Sequence, residues 1–346
     1  MNAERGQDVD GAPWEPDQLL ADRYRVGVCI RQSGTCHLYR VEDVFRGQFH
    51  LVLRPSVRLL AREGWREWFE RYCGNALSVP AHPSILACER VTGDRGVPFL
   101  VMEDAEGRGW DSLIFHGGLV ELPAMLDVAR QSAEGLAWLH SHGHIHYNAK
   151  PGNVLVCGSG AVKVWKYGES DVKTRAYASP EQLAGGRPLT PATDVWSWAV
   201  SVLHMFVGRT VWPSGADAPL VLRRYMQNGP AREGIPLMPG PLARLLAQCL
   251  KSDPDERVVT MDEIAEALKG IHTDAVSARR ERRAGARDLA SPPMGAQALA
   301  ASQGSGEGSA APLPPRPGAP DDVTERLRRD RDDQRPAGPR RYPGPG

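Results

Sequence analysis

Four polar residues are the first candidates for chemistry on a phosphate group: Asn148, Lys150 and Asn153 in the stretch HIHYNAKPGNVLV, and Lys166 farther along. An amide cannot accept a proton at neutral pH, so Asn148 cannot serve as a general base. One amide oxygen, on Asn153, does not make a magnesium site. The ammonium group of Lys166 could neutralise a phosphate without metal, because opposite charges ~4 Å apart attract by ~4 kcal/mol at an effective dielectric constant near ~20. A solvated Lys166, or one paired with a local acid, is the alternative.

A metal site is a second possibility, because the tract LHSHGHIH carries histidines at alternating positions. The four are His140, His142, His144 and His146. The break at Gly143 makes convergence of all four side chains unfavourable, so we expect no metal site here.

Composition narrows the class of protein. The chain has 346 residues, 41% of them hydrophobic, and its formal net charge is zero, so no global field would recruit nucleic acid or an anionic membrane. Its six cysteines form no C-x-x-C pair, which argues against a zinc site or a disulfide framework and fits a cytoplasmic protein. The acidic first residues are unlike a signal peptide. The most apolar segment, Val195 to Gly208, is too short to span a bilayer.

The secondary-structure elements that must position the candidate residues follow two sequence patterns, one typical of strands and one typical of helices. Residues 23–104 contain short β-rich runs such as YRVGVCI, CHLYRVE and FHLVLR, whereas residues 105–272 are mostly helical. Thr260 and Glu263 form a capping-box pattern at the start of the last helix. The predicted fold is α+β, with a small β-rich lobe, a larger helical lobe, an N-terminal extension over residues 1–22 and a disordered Gly/Pro/Arg-rich tail over residues 273–346.

Seven motifs, taken together, resemble the eukaryotic-type Ser/Thr protein kinase family that bacteria also carry (Hanks-type kinases). In chain order they are HPSIL, LVMEDAEG, IHYNAKPGNVL, VKVWKYG, YASPEQLAGG, TDVWSWAVSVLHMFVGRTVWP and DPDERVV. The resemblance implies the two-lobed kinase fold with a nucleotide cleft between the lobes. It also implies an ion pair between Glu181 and Arg257 and a bracing role for Asp194 beneath the catalytic loop. Lys150 resembles the lysine of Ser/Thr rather than Tyr kinases.

The resemblance also shows what is altered around the phosphates. The three glycines of the family's phosphate-covering loop correspond to Arg31, Ser33 and Cys36. The family's phosphate-binding lysine aligns with Arg54 of HLVLRP, and its partner glutamate aligns with Cys73 or Tyr72, neither of which can pair with Arg54. Glu70, one turn earlier, is a poor substitute. Most of the phosphate cradle is therefore predicted to be absent.

Further changes affect the chemistry itself. Asn148 stands at the family's catalytic base, Tyr147 at the arginine before it, and Lys166 at the aspartate that holds magnesium. The residues implied around the adenine ring are Leu38, Val52 and Leu155, with Met102 guarding the hinge. Val52 is larger than the family's alanine and is predicted to crowd the adenine slot.

These changes predict a pseudokinase, a kinase fold that acts as a scaffold or allosteric regulator through a protein partner and does not transfer phosphate. No cofactor is expected; ATP would bind weakly and without a proper magnesium site. Two alternatives stay open. One is an atypical, weakly active Ser/Thr kinase that transfers the γ-phosphate of ATP to protein. The other is a metal-independent sensor of a nucleotide or metabolite.

Overall fold

The computed structural model describes residues 13–115, 121–168, 174–210 and 212–290, with only the backbone for residues 115 and 282–290. Residues up to Asp288 form one compact unit, to which both lobes belong. Its first part is an antiparallel sheet with strand order β1-β2-β3-β4-β6-β5. The strands are Leu19–Leu20 (β1), Tyr24–Gln32 (β2), Cys36–Asp43 (β3), Gln48–Pro55 (β4), Cys88–Asp94 (β5) and Val97–Glu103 (β6).

Helices make up most of the remaining residues described, and the helical-lobe sequence also contributes a small antiparallel sheet with strand order β7-β8-β9. The helices are Val57–Leu60 (α1), Trp65–Ser78 (α2), Trp110–Phe115 (α3), Leu122–Ser141 (α4), Pro180–Ala184 (α5), Ala192–Val207 (α6), Ala218–Asn228 (α7), Gly240–Cys249 (α8) and Met261–Ala290 (α9). The short strands are Gly107–Gly109 (β7), Val154–Cys157 (β8) and Val162–Val164 (β9). Every residue of α6 from Thr193 onward is buried, as its apolar sequence requires. The predicted two-lobed α+β fold is confirmed.

Strand β4 separates two apolar cores, because successive side chains of a strand point to opposite faces. Leu51 and Leu53 lie in the large core, opposite Met102 and Leu100 of β6. Val52 lies in a second core on the outer face of the sheet, with Trp14, Tyr39 and Phe99. Both cores take large apolar residues, so the consecutive positions Leu51, Val52 and Leu53 show no alternation between apolar and polar residues.

The N-terminal boundary predicted at residue 22 differs from the structure, because residues 13–22 belong to the sheet. Strand β1 pairs with β2, and Trp14 covers the second core with its ring 5.2 Å from those of Tyr39 and Phe99. Burial of an aromatic ring favours this extra strand. Residues 1–12 lie outside the described residues.

The predicted start of the disordered tail at residue 273 was wrong, because helix α9 continues to Ala290. Thr260 and Glu263 exchange hydrogen bonds at its start, as the capping-box pattern predicted. Alanine and arginine, both strong helix formers, dominate residues 275–287, and Arg279 contacts Glu121 of the helical lobe. The tail prediction for residues 291–346 falls outside the described residues. Where the chain is described, no helix has the length and apolarity that crossing a membrane would require.

Candidate functional site

Asp194, at the start of helix α6, holds the loop that carries the candidate catalytic residues. Its fully buried carboxylate accepts hydrogen bonds from the backbone N–H groups of His146 (2.7 Å) and Tyr147 (2.9 Å) and lies 2.9 Å from Nε2 of His140. Tyr147 has a left-handed backbone (φ +63°), which these bonds help to hold. The structure thus places Asp194 where the resemblance implied, beneath the catalytic loop.

His146 lies beneath Tyr167, with the ring centroids 6.3 Å apart. The backbone N–H of Asn148 donates to Nδ1 of His146 (3.2 Å), so Nε2 carries the proton and donates to the carbonyl of Trp165 (3.1 Å). Burial lowers the pKa of His146, which keeps the ring neutral. His140, His142 and His144 bond to different partners, and the described residues contain no cluster of three metal-ligating side chains.

The three predicted catalytic-loop residues do come together. Asn153 is buried, and its Nδ2 donates to the backbone carbonyl of Asn148 (2.8 Å). Lys150 donates to the hydroxyl of Thr174 (2.6 Å). The loop therefore positions two amides and a lysine, without a carboxylate that could take a proton from a hydroxyl group.

Lys166 reaches from the helical lobe to the opposite side of the cleft. Its backbone is left-handed (φ +61°), and its ammonium group donates to the hydroxyls of Ser33 and Thr35, each at 3.2 Å. These hydroxyls belong to the turn between β2 and β3, which corresponds to the family's phosphate-covering loop. A cation and its hydrogen-bond acceptors therefore lie where the family has an aspartate.

Arg31 makes a second link across the cleft. Its guanidinium forms an ion pair with Asp111 of helix α3 (2.8 Å) and donates to the carbonyl of Gly152 in the catalytic loop. A Cβ on residue 152 would lie too close to the Arg31 guanidinium, so a larger residue there would displace the Arg31 side chain. The sequence placed Arg31 at the first glycine of the phosphate-covering loop. It did not predict the ion pair with Asp111, because no local pattern relates two residues that lie so far apart in the chain.

The structure puts Leu53, not Arg54, at the family's lysine position. Leu53 lines the cleft, whereas Arg54 is buried on the outer face with its guanidinium 4.8 Å from the Trp14 ring. Val52 shares that outer face, so Leu51 takes the place at the adenine slot that the sequence assigned to Val52. A shift of one residue moves every side chain of a strand to the opposite face. The sequence alignment of β4 with the family's lysine strand was wrong by one residue, so it assigned Val52 and Arg54 to the cleft in place of Leu51 and Leu53.

Cys73 of helix α2 is buried in the same core as Leu53, and burial raises the pKa of its thiol to about 12. Glu70 is 58% exposed and lies 4.0 Å from Arg66, so it does not enter the cleft. Tyr72, the other candidate for the glutamate position, is buried in the same core, so the counterpart of the family's lysine–glutamate pair contains neither an ammonium group nor a carboxylate.

The structure does not offer a fit for the magnesium–ATP complex that the family binds. The cavity at the phosphate end has a volume of about 180 Å³, and no carboxylate is among the described residues that line it. Its lining is Arg31, Gln32, Ser33, Cys36, Leu38, Leu53, Lys150, Asn153, Trp165 and Lys166. At the adenine end, the predicted residues Met102 and Leu155 are buried with Leu51 in the large core.

Glu181 and Arg257 form the predicted buried ion pair. Two hydrogen bonds of 2.7 and 2.8 Å join them, and Thr193 donates a third to Glu181 (2.9 Å). Burial alone would raise the pKa of Glu181, but the bonds from Arg257 outweigh it, so the pKa lies below its ordinary value. This pair joins helix α5 to the segment before α9 and braces the helical lobe.

The profile of the protein kinase domain family matches residues 70–269, more than half of the chain. A probable serine/threonine-protein kinase of Clostridium acetobutylicum is 26% identical over 275 residues, covering 75% of this chain and 41% of that protein. PknA of Mycobacterium tuberculosis is 27% identical over 304 residues, covering 82% and 67%. The chain therefore belongs to the protein kinase family.

Solved structures agree on the fold. The kinase domain of Mycobacterium tuberculosis PknI matches with a TM-score of 0.55 at 19% identity, covering 75% of this chain and 99% of that domain. The chain spans less than half the length of the Clostridium acetobutylicum kinase and of Lactococcus lactis PknB.

Proposed function

We propose that this protein is a pseudokinase, which uses the kinase fold for regulated binding and does not transfer phosphate. The observation that carries the proposal is Lys166, whose ammonium group bonds to Ser33 and Thr35 across the cleft. An active kinase needs a carboxylate at that position to hold magnesium against the phosphates. A cation there repels the metal.

Three further features support the proposal. Asn148 cannot take a proton from a hydroxyl group, and a positioned base contributes roughly 10²–10⁴-fold to rate. Leu53 offers no charge to the phosphates, and Cys73 offers none to orient such a charge. Each defect lowers the rate by a separate mechanism, so their combination is far more damaging than one of them.

A weakly active Ser/Thr kinase is the second candidate, and the relatives favour it. The relatives from Clostridium acetobutylicum, Lactococcus lactis and Mycobacterium tuberculosis (PknA) are each described as a serine/threonine-protein kinase or a probable one. The contact between Lys150 and Thr174 also links the catalytic loop to the activation segment, and Asn153 remains beside it. These residues would still position a substrate hydroxyl group.

Phosphate transfer from ATP to the protein itself and to a generic protein substrate separates the two candidates. We expect no transfer above background with magnesium, manganese or neither, measured beside an active Ser/Thr kinase. Lys150→Ala is the matched variant, because Lys150 is the retained cation of the catalytic loop. Robust labelling that Lys150→Ala abolishes would establish the second candidate.

We further propose a protein partner for the helical lobe, at a groove of about 510 Å³ between α7 and α8. Its lining includes the apolar residues Leu222 and Met226 and the cations Arg223, Arg244 and Lys251, without a carboxylate among the described lining residues. Charge complementarity favours a partner segment with apolar anchors and acidic flanks.

Arg244→Glu should weaken binding of a purified partner at least tenfold, whereas Arg62→Glu on the other lobe should not. Equal binding by both variants would exclude the groove.

A further inference from the structure

The cavity at the phosphate end of the cleft carries an unusual set of charges. Arg31, Lys150 and Lys166 all line it, together with the hydroxyl of Ser33 and the amides of Gln32 and Asn153. Asp111 is not among the lining residues but pairs with Arg31 and offsets part of its charge, so Lys150 and Lys166 supply most of the positive charge of the cavity. Clefts lined by one sign of charge focus the potential and concentrate ions of the opposite sign.

The size of the cavity limits what it can hold. Its volume of about 180 Å³ lies below the roughly 300 Å³ at which sites for drug-sized ligands begin. The cavity does not extend to Leu51, Met102 and Leu155 of the neighbouring adenine slot, because none of the three is among its lining residues and all are buried in one apolar core. A purine base would have to separate these packed side chains.

We propose that this cavity binds a small phosphate-type oxyanion, such as pyrophosphate, directly and without a metal ion. The inference rests on the proposed loss of phosphate transfer and names the ligand class of the altered cleft. The ammonium groups of Lys150 and Lys166 and the guanidinium of Arg31 can donate charge-assisted hydrogen bonds to the anion. The positive charge that magnesium supplies in an active kinase here comes from the chain itself.

Binding in this cavity would also hold the lobes together. Lys166 already joins the helical lobe to Ser33 and Thr35, and Arg31 joins the same turn region to Asp111 and Gly152. An anion shared by Arg31 and Lys166 adds a third link at the same place. A ligand that binds only the folded state raises its stability, so the anion should raise the melting temperature.

Calorimetric titration of the full chain with pyrophosphate tests the proposal, with phosphate, ATP plus EDTA, and ATP plus millimolar magnesium as comparison ligands at constant ionic strength. We expect saturable binding of pyrophosphate that millimolar magnesium weakens or leaves unchanged. ATP without metal should bind no more tightly than pyrophosphate. No saturable binding of pyrophosphate, or tenfold tighter binding of ATP, would overturn the proposal.

Variants locate the site. Lys166→Gln should weaken pyrophosphate binding at least tenfold, Lys166→Arg should stay within about threefold of the parent, and Lys269→Gln, at an exposed position outside the cavity, should match the parent. Lys150→Gln, on the other wall, is expected to lose affinity as Lys166→Gln does and serves if that variant unfolds. Unchanged affinity in either cavity variant places the anion elsewhere. Phosphate transfer would refute the proposed function whatever the titration shows, whereas absent transfer with absent binding refutes this inference alone.

Discussion

The Glu181–Arg257 ion pair, which we call the brace of the helical lobe, differs from the cleft between the lobes. The brace keeps the family's charged residues, whereas the cleft has lost them. In the brace, Glu181 and Arg257 remain paired by two short hydrogen bonds, with side chains 4% and 0% exposed. In the cleft, Leu53 stands at the position of the family's lysine and Cys73 or Tyr72 at that of its glutamate, so that pair has no ammonium group and no carboxylate. Removing one member of a buried pair is costly because the other is left without its partner, whereas an apolar pair of similar volume can be neutral. Both regions therefore avoid leaving one member of a buried ion pair without its partner. The brace keeps the whole pair, whereas the cleft lacks both charged residues.

The comparison also separates fold from chemistry. Asp194 and the Glu181–Arg257 pair hold backbone segments in place and need no ligand. The cleft residues that differ from the family's pattern are those that contact nucleotide or metal in an active kinase. A chain that keeps the first set and lacks the second retains the kinase fold while its cleft chemistry changes.

Breaking the brace should give the largest effect. We expect Arg257→Ala to lower the free energy of unfolding by ~3–5 kcal/mol, because Glu181 is left buried without its guanidinium partner. Urea denaturation measures this change. The matched control is Arg187→Ala, which removes an exposed arginine paired with Asp255 and should change the free energy of unfolding far less, because solvent screens a surface ion pair. Similar losses in both variants would show that the brace is no stronger than a surface pair.

Restoring the family's pair in the cleft would test whether the two solutions are interchangeable. Leu53→Lys and Cys73→Glu should each lower the free energy of unfolding by at least ~2 kcal/mol, because each buries a lone charge. The double variant should recover ~1–3 kcal/mol relative to the sum of the single changes. Denaturation of all four proteins gives this coupling directly. Strict additivity would mean that the two positions do not face each other and that Leu53 is not the counterpart of the lysine.

A smaller, pH-dependent effect should belong to the helical lobe. Burial lowers the pKa of His204 from 6.5 to about 4, and its Nδ1 lies 2.7 Å from the Tyr177 hydroxyl, within hydrogen-bond distance. The folded state keeps His204 neutral, so its contribution is complete above pH 6.5 and is lost as the pH falls toward 4. His204→Gln should make the melting temperature fall less over this window, while His142→Gln, an exposed control, should behave as the parent. Identical pH profiles for parent and His204→Gln would contradict the shift.

Much of the fold was predictable because its signals are local or follow a familiar order. The β-rich runs, the apolar helix α6 and the capping box at Thr260 each appear where their patterns indicated. Two boundaries were wrong for physical reasons. Trp14 packs against the outer face of the sheet, which forms only in the folded protein, so its role is not visible in the local sequence. Helix α9 extends to Ala290 because helix-forming residues continue beyond the point where its apolar periodicity ends.

The site was predictable in its chemistry and less so in its geometry. The types of residue at 148, 153 and 166 follow from the sequence, so it determined that the catalytic loop carries amides and that a lysine follows it. Tertiary structure decided what each side chain meets. Residues 51–54 of strand β4 are buried on both faces, so only the pairing of β4 with β6 and the packing of Trp14 determine that Leu53 enters the cleft and Arg54 does not. The contacts of Arg31 with Asp111, and of Lys166 with Ser33, join residues 80 and 133 positions apart, a separation that no local pattern encodes.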